Sequence, residues 1–207
     1  MSTITNLATL KSSISGWLNR SDLDEYIPQF IQLAEADFNN RLRTREMIKR
    51  ATATLATEYV PIPAGMLQIR NIQLNTDPQR LLEYKTPEEL DELALTYSTT
   101  GRPVYFTLLG EAIQVKPAPD TTYTVEVAYY NEIPALSDAN TSNWLLSKSP
   151  NIYLYSALYH SASFLMADER IPVWERLMNT AIETLNYSDQ QSKYSGVAPK
   201  ISFSTVG

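Results

Sequence analysis

The sequence predicts an α+β chain: a four-helix-type bundle drawn from both chain ends, an inserted antiparallel β module, and an extended C-terminal tail. Three observations carry this. Apolar residues follow helical spacing to about Arg50 and again from Pro150. Between them, to about Tyr130, they alternate as in strands. A short alternating tail, Lys200–Val206, has no obvious partner in its own chain. The expected domains are 1–50 with 144–190 for a discontinuous helical domain, 51–143 for the β-rich insert, and 191–207 for the tail.

Ile4, Leu7, Leu10, Ile14, Trp17 and Leu18 recur at steps of three and four, which puts them on one helical face. Ser21 is a candidate cap for a second helix, with Asp24 and Glu25 in its first turn, where the helix dipole favours acids. That helix carries Ile27, Phe30, Ile31, Ala34, Phe38 and Leu42 on one stripe. Its far end holds Arg41, Arg43, Arg45, Lys49 and Arg50. These five are candidates for contact with an acidic partner or with DNA phosphates. The alternative is a solvated helix end whose cations suit the C-terminal dipole.

Strands follow. Thr52–Ile62 ends at Pro61-Ile62-Pro63-Ala64-Gly65, a clear stop. Leu67 and Ile69 have one parity and Ile72 and Leu74 the other, so a bulge near Arg70-Asn71 is expected to keep both pairs on the core face. Leu81–Tyr84 is a short strand at best. Thr86-Pro87-Glu88-Glu89 forms a capping box with proline at the first helical position, and a short helix to about Leu95 should follow. After Gly101-Arg102-Pro103, Val104–Leu109 and Ala112–Lys116 flank Gly110-Glu111, which suits a type II′ hairpin turn. Tyr123, Val125, Val127 and Tyr129 then alternate with Thr124, Glu126 and Ala128, completing an expected three-strand meander.

The second helical region opens at Ser149-Pro150, with Ser149 as cap. Ile152, Tyr155 and Tyr159 form one apolar row, and Leu154, Leu158 and Leu165 another. Small residues, from Ser156 to Ser163, allow close helix approach. A helix apolar on several sides is buried on several sides, and part of that burial is expected from another subunit. Tyr155, Tyr159 and Trp174 are the interface candidates, since tyrosine and tryptophan favour contacts with one dry and one wet end. After a turn at Ala167-Asp168-Glu169-Arg170, a last helix carries Val173, Trp174, Leu177, Met178, Ala181, Ile182 and Leu185. From Ser188 the chain becomes polar, and a departure from the helix is expected. Tyr194, Val197, Ile201 and Phe203 are the candidate docking residues of the tail, either as a strand added to another protein's sheet or as a plain chain end.

Composition narrows the chemistry. The chain has 207 residues, enough for one good core or two small ones. It has no cysteine and one histidine, His160, so disulfides, thiolate nucleophiles and multi-histidine metal sites lose their parts. No phosphate-binding glycine loop or nucleophile elbow is present. Glu35, Asp37 and Glu126 are acids that could pair for glycosidase chemistry, but none lies in an evident cleft. His160 would need an activating partner to serve as a base; as an ordinary helix residue it needs none. Tyr123, Tyr129 and Tyr130 could stack sugars or bases, or belong to the core. No enzyme activity, cofactor or metal is expected. A net charge of −6 disfavours a general nucleic-acid binder, yet suits a lining past which DNA slides. The N-terminus lacks the basic and apolar run of a secretory signal, and no apolar run is long enough for a membrane span.

Read in order, Gly101-Arg102-Pro103-Val104-Tyr105-Phe106, Lys116-Pro117-Ala118-Pro119-Asp120, Val125–Tyr130, Ile133–Asp138, Asn143–Leu146 and Ser149–Leu158 resemble the head-to-tail adaptor proteins of short-tailed bacteriophages. Thr86–Leu90, and Trp174 after Asp168-Glu169-Arg170, are similar too. The likeness covers most of residues 20–187. It implies a virion structural protein that forms a ring, usually of about twelve copies, below the portal. It further implies a portal partner, a tail nozzle or tail-fibre partner, DNA passing through without specific binding, and assembly in the host cytoplasm at the head–tail junction. The tail matches by position only. Another tail-completion component and a carbohydrate-binding β module for host attachment are the competing readings.

Overall fold

The computed structural model describes residues 3–20, 22–96, 100–165 and 169–194. Among them are six α-helices: α1 (Leu7–Leu18), α2 (Ile27–Arg41), α3 (Pro87–Thr96), α4 (Trp144–Lys148), α5 (Pro150–Phe164) and α6 (Ile171–Tyr194). The chain is mixed α and β, and it divides into two compact units, Met1–Arg45 with Ile133–Gly207, and Glu46–Glu132. The second unit begins five residues before the expected insert and ends eleven before it.

In the helical unit, α1 starts where Asn6 and Thr9 cap each other. Thr9 N–H donates to Asn6 Oδ1 at 2.9 Å, and Asn6 N–H to Thr9 Oγ1 at 3.0 Å. The second helix does not begin near Ser21, which lies outside the described residues. Residues 22–26 are turns, and α2 opens at Ile27 with no side-chain cap. Pro28 sets that start. Proline lacks an N–H and fits only the first turn, so a helix begun at Asp22 would meet it in its interior. The expected stripe from Ile27 to Leu42 is buried throughout.

Helix α5 packs against α1, α2, α4 and α6. Ile152, Tyr153, Leu154, Ala157, Leu158 and Ala162 are all buried, as its multi-sided apolarity requires. Buried Ser156 and Ser161 let the neighbouring helices approach. Helix α6 does not stop at Ser188 but runs to Tyr194, so residues 191–194 are helical where an extended tail was expected. Asp189 explains the extension: Lys193, one turn on, donates to it at 2.7 Å. Val197, Ile201 and Phe203 lie outside the described residues.

The described residues of the other unit hold ten strands, from two to nine residues long. One four-stranded sheet runs β1 (Ile48–Leu55), β10 (Tyr123–Asn131), β3 (Met66–Leu74) and β4 (Arg80–Leu81). A second runs β2 (Tyr59–Pro61), β8 (Ala112–Lys116), β7 (Tyr105–Leu109) and β5 (Glu83–Tyr84). A two-stranded ladder pairs β6 (Thr100–Gly101) with β9 (Ala118–Pro119). Most pairs are antiparallel, but β5–β7 and β6–β9 are parallel. The expected strand Thr52–Ile62 is thus two strands in two sheets.

The expected meander is corrected as well. The β7–β8 hairpin forms around Gly110, whose φ of +57° meets the type II′ requirement. β10 instead joins the other sheet, between β1 and β3. The free edge of β8 is taken by β2, pairing Tyr59 with Gln114 and Pro61 with Ala112, so no place is left there for β10. The expected bulge is present: Ala128 pairs with Asn71 and Tyr129 with Ile69, passing over Arg70. A second irregularity passes over Leu67, so Met66 rather than Leu67 joins Ile69, Ile72 and Leu74 at the core. That core draws Leu55, Ile72, Leu74, Val125 and Val127 from one sheet and Val60, Phe106, Ile113 and Val115 from the other. Leu82 joins β4 to β5, and so one sheet to the next. It is buried in the shared core, its N–H bonded to Ile72 O at 2.9 Å. The capping box before α3 forms in both directions, Thr86 N–H to Glu89 Oε2 at 3.0 Å and Glu89 N–H to Thr86 Oγ1 at 3.3 Å.

Candidate assembly surfaces

In the helical unit the loop that holds Ile133, Leu136 and Asn143 is hydrogen-bonded to two helices. Glu35, buried on α2, accepts from the Leu136 N–H at 2.8 Å and from the Tyr153 hydroxyl of α5 at 3.1 Å. Asn143 donates to that same hydroxyl at 2.6 Å and to Pro134 O at 2.8 Å, while its Oδ1 caps α4 through the Leu146 N–H at 2.9 Å. Asn39 Oδ1 holds the Ile133 N–H at 2.9 Å. Burial pushes the Glu35 carboxyl above the usual glutamate range, against the two hydrogen bonds that favour its charge. The same burial, with the Glu35 carboxylate beside it, pushes the Tyr153 phenol far up. Glu35 is therefore a fastener rather than a surface acid.

On this scaffold stand two aromatic patches. In the first, Trp17 of α1 meets Tyr155 of α5 edge-on at 6.2 Å between ring centroids and Trp174 of α6 at 5.6 Å. Trp17 is 41% exposed although the α1 spacing assigns it to the apolar face. Tyr155, Tyr159 and Trp174, the interface candidates, are all half-buried, and Tyr159 lies beside His160 at 5.4 Å. In the second patch, Phe164 at the end of α5 is 51% exposed while touching Tyr26 at 4.9 Å and Phe30 at 5.6 Å. Sequence reasoning passed over Tyr26 and Phe164. Their signal was present, since Phe164 falls in neither apolar row of its helix.

The basic run is not one helix end. Only Arg41 lies in α2, where it reaches Asn179 of α6 at 2.6 Å. Arg43 donates to Asn39 O and Leu42 O, both at 2.6 Å, closing the helix C-terminus. The Arg45 backbone N–H donates to Asp189 at 3.1 Å, and its guanidinium is 3.8 Å from the same carboxylate. Lys49 and Arg50 are on strand β1, and Arg50 pairs with Glu126 at 3.0 Å. Although burial acts upwards on Asp189, the hydrogen bonds from Lys193 and the Arg45 N–H outweigh it and hold the carboxyl below its ordinary range.

The remaining candidates disperse. His160 Nε2 is 3.1 Å from Asp37 Oδ2, a link between α5 and α2. Glu126 faces Arg50 and Gln73 on the open side of the sheet. Tyr129 is buried in the β core, with Tyr123 packed against it, and Tyr130 lies under Arg70 at 5.9 Å. The aromatic row is thus largely core. The chain ends of the docking group fall at or past the last helix: Tyr194 closes α6, and the other three are outside the described residues. No helix among the described residues is long and apolar enough to cross a membrane.

A helical unit with partly uncovered aromatic patches has the character of a structural subunit. The profile of the SU10 adaptor protein family matches residues 5–200, and the chain belongs to that family of phage head-to-tail adaptors. A search of curated proteins found no match to the chain.

Proposed function

We propose that the chain assembles as a ring, of about twelve copies, between portal and tail, extending the DNA channel and giving the tail its attachment surface. The observation that carries the reading is the half-exposed Trp17–Tyr155–Trp174 cluster on the helical body of an adaptor-family chain. Aromatic surface of this kind is enriched where subunits meet. The four long helices α1, α2, α5 and α6 act as a four-helix-type bundle that packs in the ring. The segment beyond Tyr194, with Val197, Ile201 and Phe203, docks on the portal, and the β unit serves the tail nozzle or fibres. Repetition around the ring turns weak single contacts into a strong joint. The net charge of −6 lets DNA pass without being gripped.

Co-sedimentation with the cognate portal ring tests this reading, comparing the full chain with one truncated after Ser195. Binding of the full chain alone supports tail docking. Binding of both moves the portal contact to the helical unit. Binding of neither overturns the reading.

A further inference from the structure

We propose that successive copies join head to tail through the two aromatic patches of the helical unit, Tyr26 and Phe164 of one copy seating in a groove walled by Tyr155 on the next. The inference rests on the ring reading and gives that ring its interface.

The groove lies between α5 and α6. Leu177, Ala181 and Leu185, one stripe of α6, floor it; Tyr155 forms a wall, and Lys148 stands at its mouth. Its volume is about 350 Å³, within the range that takes a ring-sized group. The Trp17 ring packs against Tyr155 and extends the apolar surface. The knob is Phe164 with Tyr26, both still partly exposed after packing on each other.

Helix geometry separates the two. Phe164 follows Tyr155 by nine residues on α5. At about 100° per residue that is two and a half turns, so knob and groove wall point to opposite sides of the helix. Neither patch can cover the other within one chain. Two unlike patches on opposite sides define a heterologous contact, which leaves a fresh knob and a fresh groove after every addition. Such a contact closes into a ring or runs on as a filament, whereas a two-fold dimer would stop at two copies. Asp24 and Glu25 lie exposed immediately before Tyr26, so the knob side carries acids, and the groove is also lined by Ser149, Asn151, Thr180, Thr184 and Ser188, whose polar groups can face such a neighbour.

The chain has no cysteine, so introduced thiols report cleanly. Glu25→Cys and Thr184→Cys mark the knob side and the groove side at exposed positions without removing either. Both are placed in one chain and treated with a short bismaleimide, free in solution and on the cognate portal ring. A ladder of linked oligomers from the double variant, with each single variant staying unlinked, is the expected result. Phe164→Asp should also weaken self-association by on the order of tenfold or more. Linked dimers from Glu25→Cys alone would overturn the proposal, because like patches would then be meeting. So would an unlinked double variant. If light scattering still shows rings in that case, the interface is wrong and the ring reading stands. If the wild-type chain neither self-associates nor binds the portal, both fall.

Discussion

The Tyr153 hydroxyl and Glu35 Oε1 meet at 3.1 Å inside the helical unit, tying α5 to α2 across 118 residues of sequence. Asn143 completes the contact from the loop side at 2.6 Å. Tyr153→Phe removes the shared hydroxyl while keeping the ring against Phe38. It leaves Glu35 with one donor fewer in a buried place. The expected loss is about 1–3 kcal/mol, read as a lower urea midpoint of the helical signal with an unchanged slope.

Glu35 also sets a pH dependence. Its carboxyl holds a proton more tightly in the fold than in the unfolded chain, because burial raises it. The stability it contributes is therefore fully present below the unfolded glutamate value, about 4.3, and is lost as pH rises through the raised folded value. Glu35→Gln keeps an acceptor oxygen and carries no charge. Its midpoint relative to wild type should rise as pH goes from about 4 to 7, measured by thermal unfolding in matched buffers. A difference that stays flat across that range would contradict the buried-acid account.

Asp189 has the opposite sign. Its carboxyl is held below the ordinary range, so its contribution is present above the unfolded aspartate value, about 3.9, and is lost as pH falls. Asp189→Ala strips the acceptor from the Arg45 N–H and from Lys193. About 1–3 kcal/mol should be lost near neutral pH, less at low pH, with fraying of the last turn of α6 visible in amide exchange.

Two glycines in the β unit separate strain from crowding. Gly110 has a positive φ, but a Cβ there meets nothing within 4 Å, so Gly110→Ala should cost only the left-handed penalty of about 1–2 kcal/mol. Gly65 has φ +71° and would also place its Cβ 3.0 Å from Glu132 Oε1 and 3.2 Å from Asn131 Oδ1. Gly65→Ala should therefore be the more destabilising of the two in urea unfolding. Equal effects would mean that the Glu132 side chain simply moves aside.

Local signals in the sequence were readable where the chemistry is local. The Thr86–Glu89 capping box, the Gly110 turn, the Arg70 bulge and the buried α2 stripe all follow from neighbours within a few residues. What failed depended on distant partners. β10 left the hairpin for β1 and β3, a choice made by strands about fifty to eighty residues away in sequence. The polar end of α6 stayed helical where Asp189, besides holding Lys193 one turn on, accepts from the Arg45 N–H 144 residues away. Pro28 was an overlooked local sign, and it moved the start of α2 by about five residues. Among the surface candidates, Tyr155 and Trp174 were legible as half-buried aromatics. Trp17 was placed only on the apolar face of its helix, since spacing gives a face and not the depth at which that face is covered.

The central claim is that this adaptor-family chain sits as a ring at the head–tail junction. Symmetry-averaged electron cryo-microscopy of the intact phage particle tests it most directly. A closed ring directly below the portal, with density for α1, α2, α5 and α6 in every copy and the Phe164 side of one against the Tyr155 side of the next, is the predicted result. A junction without this chain, or one holding it as isolated copies with both aromatic patches uncovered, would contradict the account.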